Sequence, residues 1–251
     1  MPASAQTASE RRTAARTALV WSALRPVLEA AGDGAAEVLD IGGGTGGFAV
    51  RVAELGHRVV VVDPSPDALA ALDRRGAERG VGDRVTGRQG DLADLLQVVG
   101  EASADVVLCH GVLEVVDDPA AALDVLHRVL RPGGTLSLLV GQRHAAVVAR
   151  AMAGHFQQAR ELLDAPLDTP LEPGGRAGRR FARDEVEALL QSAGLAVTEV
   201  HGVRVFADLV PGSLLDLEPG ATDALVELER AVASRPEYLP LATQLHLLAT
   251  R

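Results

Sequence analysis

Val38-Leu39-Asp40-Ile41-Gly42-Gly43-Gly44-Thr45-Gly46-Gly47 is an apolar run that closes on an acid and opens into glycines. That pattern fits a buried parallel strand turning sharply into a helix around a ligand. Glycine serves such a turn twice: it accepts positive φ, and it lets the backbone approach the ligand with no Cβ in the way. Two fingerprints overlap here. Gly42, Gly44 and Gly47 spell the dinucleotide pattern GxGxxG, while Gly42, Gly44 and Gly46 spell GxGxG. The glycines alone leave both open.

Asp40 leans the choice, because a carboxylate just before the first glycine sits badly beside a pyrophosphate and well beside an ammonium. S-adenosylmethionine (SAM) carries such an ammonium. A second acid, Asp63, closes the all-valine run Val59 to Val62, about 20 residues on, the offset at which a carboxylate meets ribose hydroxyls. NAD enzymes share that feature. They do not normally share Gly90-Asp91 after a third strand, or Leu130-Arg131-Pro132-Gly133-Gly134-Thr135-Leu136 leading into a fifth. In this order the motifs resemble the class I SAM-dependent methyltransferases. The resemblance implies an α/β, Rossmann-like fold with a seven-stranded mixed sheet, order 3-2-1-4-5-7-6, and a helical lid after strand 5.

The chain has 251 residues, enough for one α/β domain spanning 1–251 with a substantial core. Its 24 basic and 34 acidic groups give a net charge of −10, which argues against broad electrostatic binding to nucleic acid or anionic membrane and leaves local patches open. Every basic residue counted is Arg, Lys and Asn are absent, and Ile occurs only at position 41, a bias that reflects GC-rich coding DNA. A single Cys109 excludes a disulfide framework. With no signal-like or membrane-spanning run, a cytoplasmic protein is expected. No metal-ligand cluster is visible in the sequence.

Apolar residues recur at helical spacing from about 11 to 31, with Trp21 on the buried side, and this helix is expected over the mouth of the cofactor site. Strands are expected at Glu37 to Ile41, Arg58 to Val62, Arg84 to Arg88, Asp105 to Cys109, Thr135 to Val140, Leu195 to Phe206 and Thr243 to Thr250. Between them fall helices, two introduced by Pro66 and Pro119, since proline suits a first turn. Asp91 reads as a cofactor contact, as an N-cap for a helix Leu92 to Val98, or both. His110 ends the fourth strand on the carboxyl edge, where open α/β sheets bind ligands. Residues 142–181 read as a lid insertion: a long amphipathic helix from Gln142 to Leu163, then a Pro/Gly-rich loop. Arg176, Arg179, Arg180 and Arg183 put four cations in eight residues there, either a solvated loop or a phosphate-contacting patch.

A narrower resemblance rests on His110-Gly-Val-Leu-Glu114-Val-Val-Asp-Asp-Pro119, Val129 to Leu138, Met152-Ala-Gly-His-Phe156, Gly202-Val-Arg-Val-Phe206, Leu228-Glu229 and Pro236-Glu-Tyr238. These runs are similar to the bacterial tRNA 5-carboxymethoxyuridine methyltransferases, and the similarity extends from Arg16 through the insertion to the C-terminal region. It implies SAM as cofactor and a wobble-uridine carboxylate as methyl acceptor. It also implies SAM contacts for Arg16, Gly42, Gly43, Asp63, Gln89, Gly90 and His110, beside Gly44 and Asp91 from the motifs above. Arg16 would clamp the methionine carboxylate, a geometry suited to a guanidinium. The lid here is less basic than the family's, and aromatic residues are only 2% of the chain, few platforms for stacking bases. A small carboxylate or hydroxyl metabolite is therefore the alternative acceptor, and a non-catalytic SAM-binding protein a third reading. Arg204 is the candidate cation orienting a substrate carboxylate, with Arg143 in reserve.

Overall fold

The computed structural model of the chain describes residues 8–30, 34–163, 165–166, 178–215 and 220–251. Its frame is a sheet in which β1 (Glu37–Ile41), β2 (Arg58–Asp63), β3 (Val85–Gln89), β4 (Ala104–His110) and β5 (Leu130–Gly141) run parallel. Two further strands complete it: β6 (Ala196–Val203) and β7 (Gln244–Thr250), the latter antiparallel to both β5 and β6. The order is β3-β2-β1-β4-β5-β7-β6, as expected from the sequence. After β1 the chain winds outward through β2 and β3, then returns to lay β4 on the other side. The crevice between β1 and β4 is the topological switch point, where ligands of such sheets bind.

Alternate residues on each strand feed two cores. On one face Val38, Val59, Val61, Val106 and Leu108 meet Leu24 and Leu28 of α1 (Ala8–Glu29), together with α2 (Ala49–Glu54) and α3 (Pro66–Glu78). On the other face Leu39, Ile41, Val107, Cys109, Leu138 and Leu247 pack on α5 (Pro119–Val129) and on α8 (Arg183–Ser192), with α4 (Leu95–Val99) alongside. Burial on both faces explains why the central strands read as continuous apolar runs rather than alternating ones. Ser65 caps α3 through Ala68 N–H, and Asp118 caps α5 through the amides of Ala120 and Ala121, each cap contributing about 1 kcal/mol. After β5 come α6 (Arg143–Met152) and α7 (Phe156–Leu163); α9 (Gly212–Leu215) and α10 (Ala221–Val232) lie between β6 and β7. No helix among the described residues is long and apolar enough to cross a membrane.

Four expectations need correction. The single helix from Gln142 to Leu163 is two, broken where Gly154 takes φ +79°. Asp91 caps no helix: its Oδ1 accepts from Ala93 N–H (2.8 Å) in a local turn, and α4 starts later, at Leu95. Strand 5 begins at Leu130, not Thr135, because Ala104 pairs with Leu130 across an irregular register. Strand 6 stops at Val203, which puts Arg204 beyond the ladder in the left-handed region, φ +58°. The proposed lid includes residues 164 and 167–177, which lie outside the described residues, and so does Arg176.

Candidate active site

β1 delivers Asp40 into the core, and the glycine turn wraps it. A Cβ on Gly43 would lie 2.4 Å from Asp40 Oδ2, so only glycine lets the chain pass there. Gly42 takes φ +64° and donates its N–H to Val62 O (2.8 Å), tying the turn to β2. Asp63 ends β2 with one oxygen accepting from Gly44 N–H (3.0 Å) and the other from Ser65 N–H (2.9 Å). Each carboxylate oxygen has a second lone pair to offer. Burial, reinforced by Asp63, pushes the Asp40 carboxyl up to about 7. Asp63 reaches the crevice at the switch point, while Asp40 stays buried beneath the turn.

Beyond this pair a cavity of about 720 Å³ opens at the switch point, lined by Gly42, Asp63, Gly90, Asp91 and His110 among others. Gln89 pairs in register with Asp63 and donates to Pro64 O (3.3 Å), and Gly90 N–H reaches Asp63 O at 3.4 Å. Val112 and Val115 of the loop after β4 close the far wall. Thus Gly42, Asp63, Gly90, Asp91 and His110 converge on one space, and Gly43, Gly44 and Gln89 build its edges.

The other side of the site rises from β4, β5, β6 and β7. His110 Nε2 lies 2.9 Å from Ser137 Oγ, which is 2.8 Å from His246 Nε2, and His201 stacks on His246 with ring centroids 5.8 Å apart. Burial, with the Arg16 charge adding to it, lowers His110 to about 3, so the ring is neutral and a poor base. Glu114 is buried, accepts from Gly141 N–H (2.8 Å) through Oε1, and keeps Oε2 without a partner. Arg16, half-buried on α1, has its Nε unpartnered; burial and then Arg204 lower its pKa, and Glu114 opposes them.

Arg204 owes its place to Glu229 of α10. That buried carboxylate accepts from the N–H groups of Val205 (2.8 Å), Phe206 (2.8 Å) and Ala207 (2.7 Å), pinning the turn that begins at Arg204. Arg204 itself faces Asp208 at 3.4 Å. Arg143 does not share the site: it pairs with Glu185 at 2.8 Å and leans on Arg180 O, a bond between α6 and α8. The Arg cluster is also dispersed. Arg179 turns inward to Val116 O (2.7 Å), Arg183 pairs with Glu187 along α8, and Arg180 lies over Gly141, where a Cβ would meet its guanidinium at 2.4 Å.

The described chain can be set beside known proteins. Residues 39–138 match the methyltransferase-domain family. Over 238 residues the sequence is 31% identical to the tRNA 5-carboxymethoxyuridine methyltransferase of Escherichia coli K12, covering 94% of this chain and 88% of that protein. The chain belongs to the SAM-dependent methyltransferases. It is also 32% identical over 170 residues to a ubiquinone biosynthesis O-methyltransferase of Xylella fastidiosa, covering 67% of this chain and 64% of the relative. A SAM-dependent methyltransferase structure from Mesorhizobium loti superposes with a TM-score of 0.60 at 20% identity, covering 92% of this chain and 97% of that one.

Asp40 and Asp63 bring two carboxyl groups to the carboxyl ends of β1 and β2. Arg16 Nε, a donor, and His110 Nδ1 are both buried without a hydrogen-bond partner. Among the described residues no three His, Cys, Asp or Glu side chains are grouped to hold a metal ion. Sequence reading missed Ser137, His246, His201, Glu114 and Glu229 as site-builders. A signal existed in Leu245-His246-Leu247, where a histidine interrupts a buried apolar strand, and in Glu229, an acid on the buried side of an amphipathic helix.

Proposed function

We propose that this methyltransferase esterifies the carboxylate of 5-carboxymethoxyuridine in tRNA, in the cytoplasm. The observation that carries the reading is Arg204, a non-glycine residue held at positive φ by three hydrogen bonds to Glu229, with its charge felt by Arg16. Backbone strain of this kind costs on the order of 1–3 kcal/mol and clusters at ligand sites. Arg16, Arg204 and Arg180 give the acceptor side a cationic character in a chain of net charge −10. The E. coli relative, similar over nearly the whole length, is by name a tRNA 5-carboxymethoxyuridine methyltransferase.

SAM supplies an already activated methyl group. The protein's work is then orientation: Arg204 holds the acceptor carboxylate, Arg16 the methionine carboxylate, and Asp63 the ribose, so that nucleophile and methyl meet in line. A carboxylate with a pKa near ~4 is ionised at neutral pH and needs no base. That matches His110, whose pKa of about 3 leaves it unable to deprotonate an alcohol or phenol at neutral pH. Of the expected lid, the described helices α6 and α7 lie on the side of this acceptor.

Labelled SAM offered with tRNA carrying the modified uridine, in parallel with a small-molecule extract, tests the reading. Label should enter tRNA and leave under mild alkali, as an ester does. Turnover at saturating SAM should be flat from about pH 6 to 8. Alkali-stable label, or label confined to the extract, would instead favour an O- or N-methyltransferase of small molecules.

A further inference from the structure

Ser137 on β5 stands between histidines of two neighbouring strands, 2.9 Å from His110 Nε2 and 2.8 Å from His246 Nε2. Ser137 and His246 are fully buried, and burial lowers the pKa of both rings, so at neutral pH each ring carries a single proton. Neither Nδ1 has a hydrogen-bond partner. A serine hydroxyl has one proton to give and two lone pairs to offer, so the possible arrangements can be enumerated.

If both rings donate to Ser137, the hydroxyl proton is stranded in the sealed core. If Ser137 donates to His246, then His246 must carry Nδ1–H, an unpaired donor beneath the stacked ring of His201. If Ser137 donates to His110, His246 donates to Ser137 and retains only a bare Nδ1. The remaining unpaired donor is then His110 Nδ1–H, enclosed in this structure but on a residue that lines the 720 Å³ cavity, whereas His246 lines no part of it. Unpaired buried N–H groups are rarer in native structures than under-satisfied acceptors, which selects this third arrangement. Arg16, whose charge bears on His110, adds a second donor from a separate element.

We propose that Ser137 and His246 are positioning residues that lock His110 in its Nδ1–H tautomer, making it a hydrogen-bond donor to the bound cofactor. Ser137 relays the choice: a proton on His246 Nε2 dictates a bare Nε2 on His110. The inference rests on the place of His110 in the cofactor cavity and holds whichever acceptor is methylated.

Nitrogen-15 NMR of the imidazole rings in ligand-free protein at neutral pH is the direct test. His110 should carry its proton on Nδ1 and His246 on Nε2. Ser137→Ala should shift His110 toward the Nε2–H form and weaken S-adenosylhomocysteine binding about tenfold, the loss of roughly one oriented hydrogen bond. Ser137→Thr restores a hydroxyl on a residue that suits a strand and should return both readouts to the parent. His246→Gln, whose amide can donate to Ser137, should behave like Ser137→Thr, and His246→Leu like Ser137→Ala. An Nε2–H tautomer for His110 in the parent would overturn the proposal, as would an unchanged tautomer and affinity in Ser137→Ala. The parent spectrum needs no variant, so a variant that fails to fold leaves the test standing.

Discussion

The two ends of the carboxyl edge are built by opposite strategies. Over β1 and β2 the site is short-range and acidic: Asp40 is enclosed by Gly43, three residues on, and Asp63 holds Ser65 and Gly44, two residues ahead and 19 behind. Over β5, β7 and β6 it is long-range and rich in cations and imidazoles: Ser137 meets His246 109 residues away. In the proposed function the first end meets a cofactor of fixed shape, for which a local motif suffices, and the second meets the acceptor through elements the fold brings together. The ends should therefore fail separately.

The largest effect is expected from Glu229→Ala. It leaves three backbone donors without their acceptor, at about 1–3 kcal/mol for each group that stays buried and unpaired, and frees the turn carrying Arg204. Urea unfolding should show a loss of about 3 kcal/mol or more. In variant that remains folded, methyl transfer should collapse while SAM affinity stays within about twofold. A parallel collapse of SAM binding would break the division between the two ends.

Asp63→Ala strikes the opposite end. Two charge-assisted hydrogen bonds to ribose, at ~1.5 kcal/mol or more each, correspond to roughly a hundredfold loss of SAM affinity by calorimetry. Because Asp63 also anchors Gly44 and Ser65, some stability should go with it. Binding of NAD more tightly than SAM by the parent would undo the assignment of this end altogether.

Asp40 gives a smaller, pH-dependent effect. Its folded-state pKa of about 7 lies above the unfolded value of 3.8. The stability this group contributes is therefore fully present below about pH 4 and lost as pH rises through 7. Cofactor binding runs the other way, since an ammonium needs the ionised carboxylate. Affinity for SAM should rise about fivefold from pH 6 to 7, a range in which the α-amino group stays charged, with close to one proton released at pH 6. Asp40→Asn should bind more weakly and show no such dependence. A flat pH profile in the parent would mean Asp40 is ionised before the cofactor arrives.

The sequence was most legible where contacts are local. The strand-glycine turn, Asp63 and the proline-started helices are short patterns whose geometry follows from the residues themselves, and the sheet order came with them through resemblance. His110 was placed by its strand-end position and by the resemblance. His246 and Glu229 left a signal as polar residues at buried positions, but the partners of Glu229, Ser137 and His246 could not be read, because strand register and helix packing choose them rather than spacing. The four-arginine run left its two readings open for the same reason: adjacent cations look alike in sequence, and only the docking of residues 178–181 beside Glu114 and Gly141 separates the described ones.

That separation gives the finest test. Arg179 is turned into the protein, so Arg179→Ala should lower stability and leave the salt dependence of tRNA binding unchanged. Arg183 is engaged with Glu187 on an exposed face, and its loss should barely register, since such pairs contribute about 0–1 kcal/mol. Arg180 borders a cavity of about 530 Å³ formed by α6, Asp208 and Thr243, the acceptor side of the edge. A phosphate or carboxylate held there would make Arg180 the one of these three whose removal flattens the log-log salt slope, by roughly 0.7–0.9 for a single lost phosphate contact. A carboxylate contact would instead weaken binding with the slope unchanged, because no backbone phosphate is involved. Equal small changes for all three variants would mean that this stretch faces water, and that the cationic character of the acceptor end resides in Arg16 and Arg204 alone.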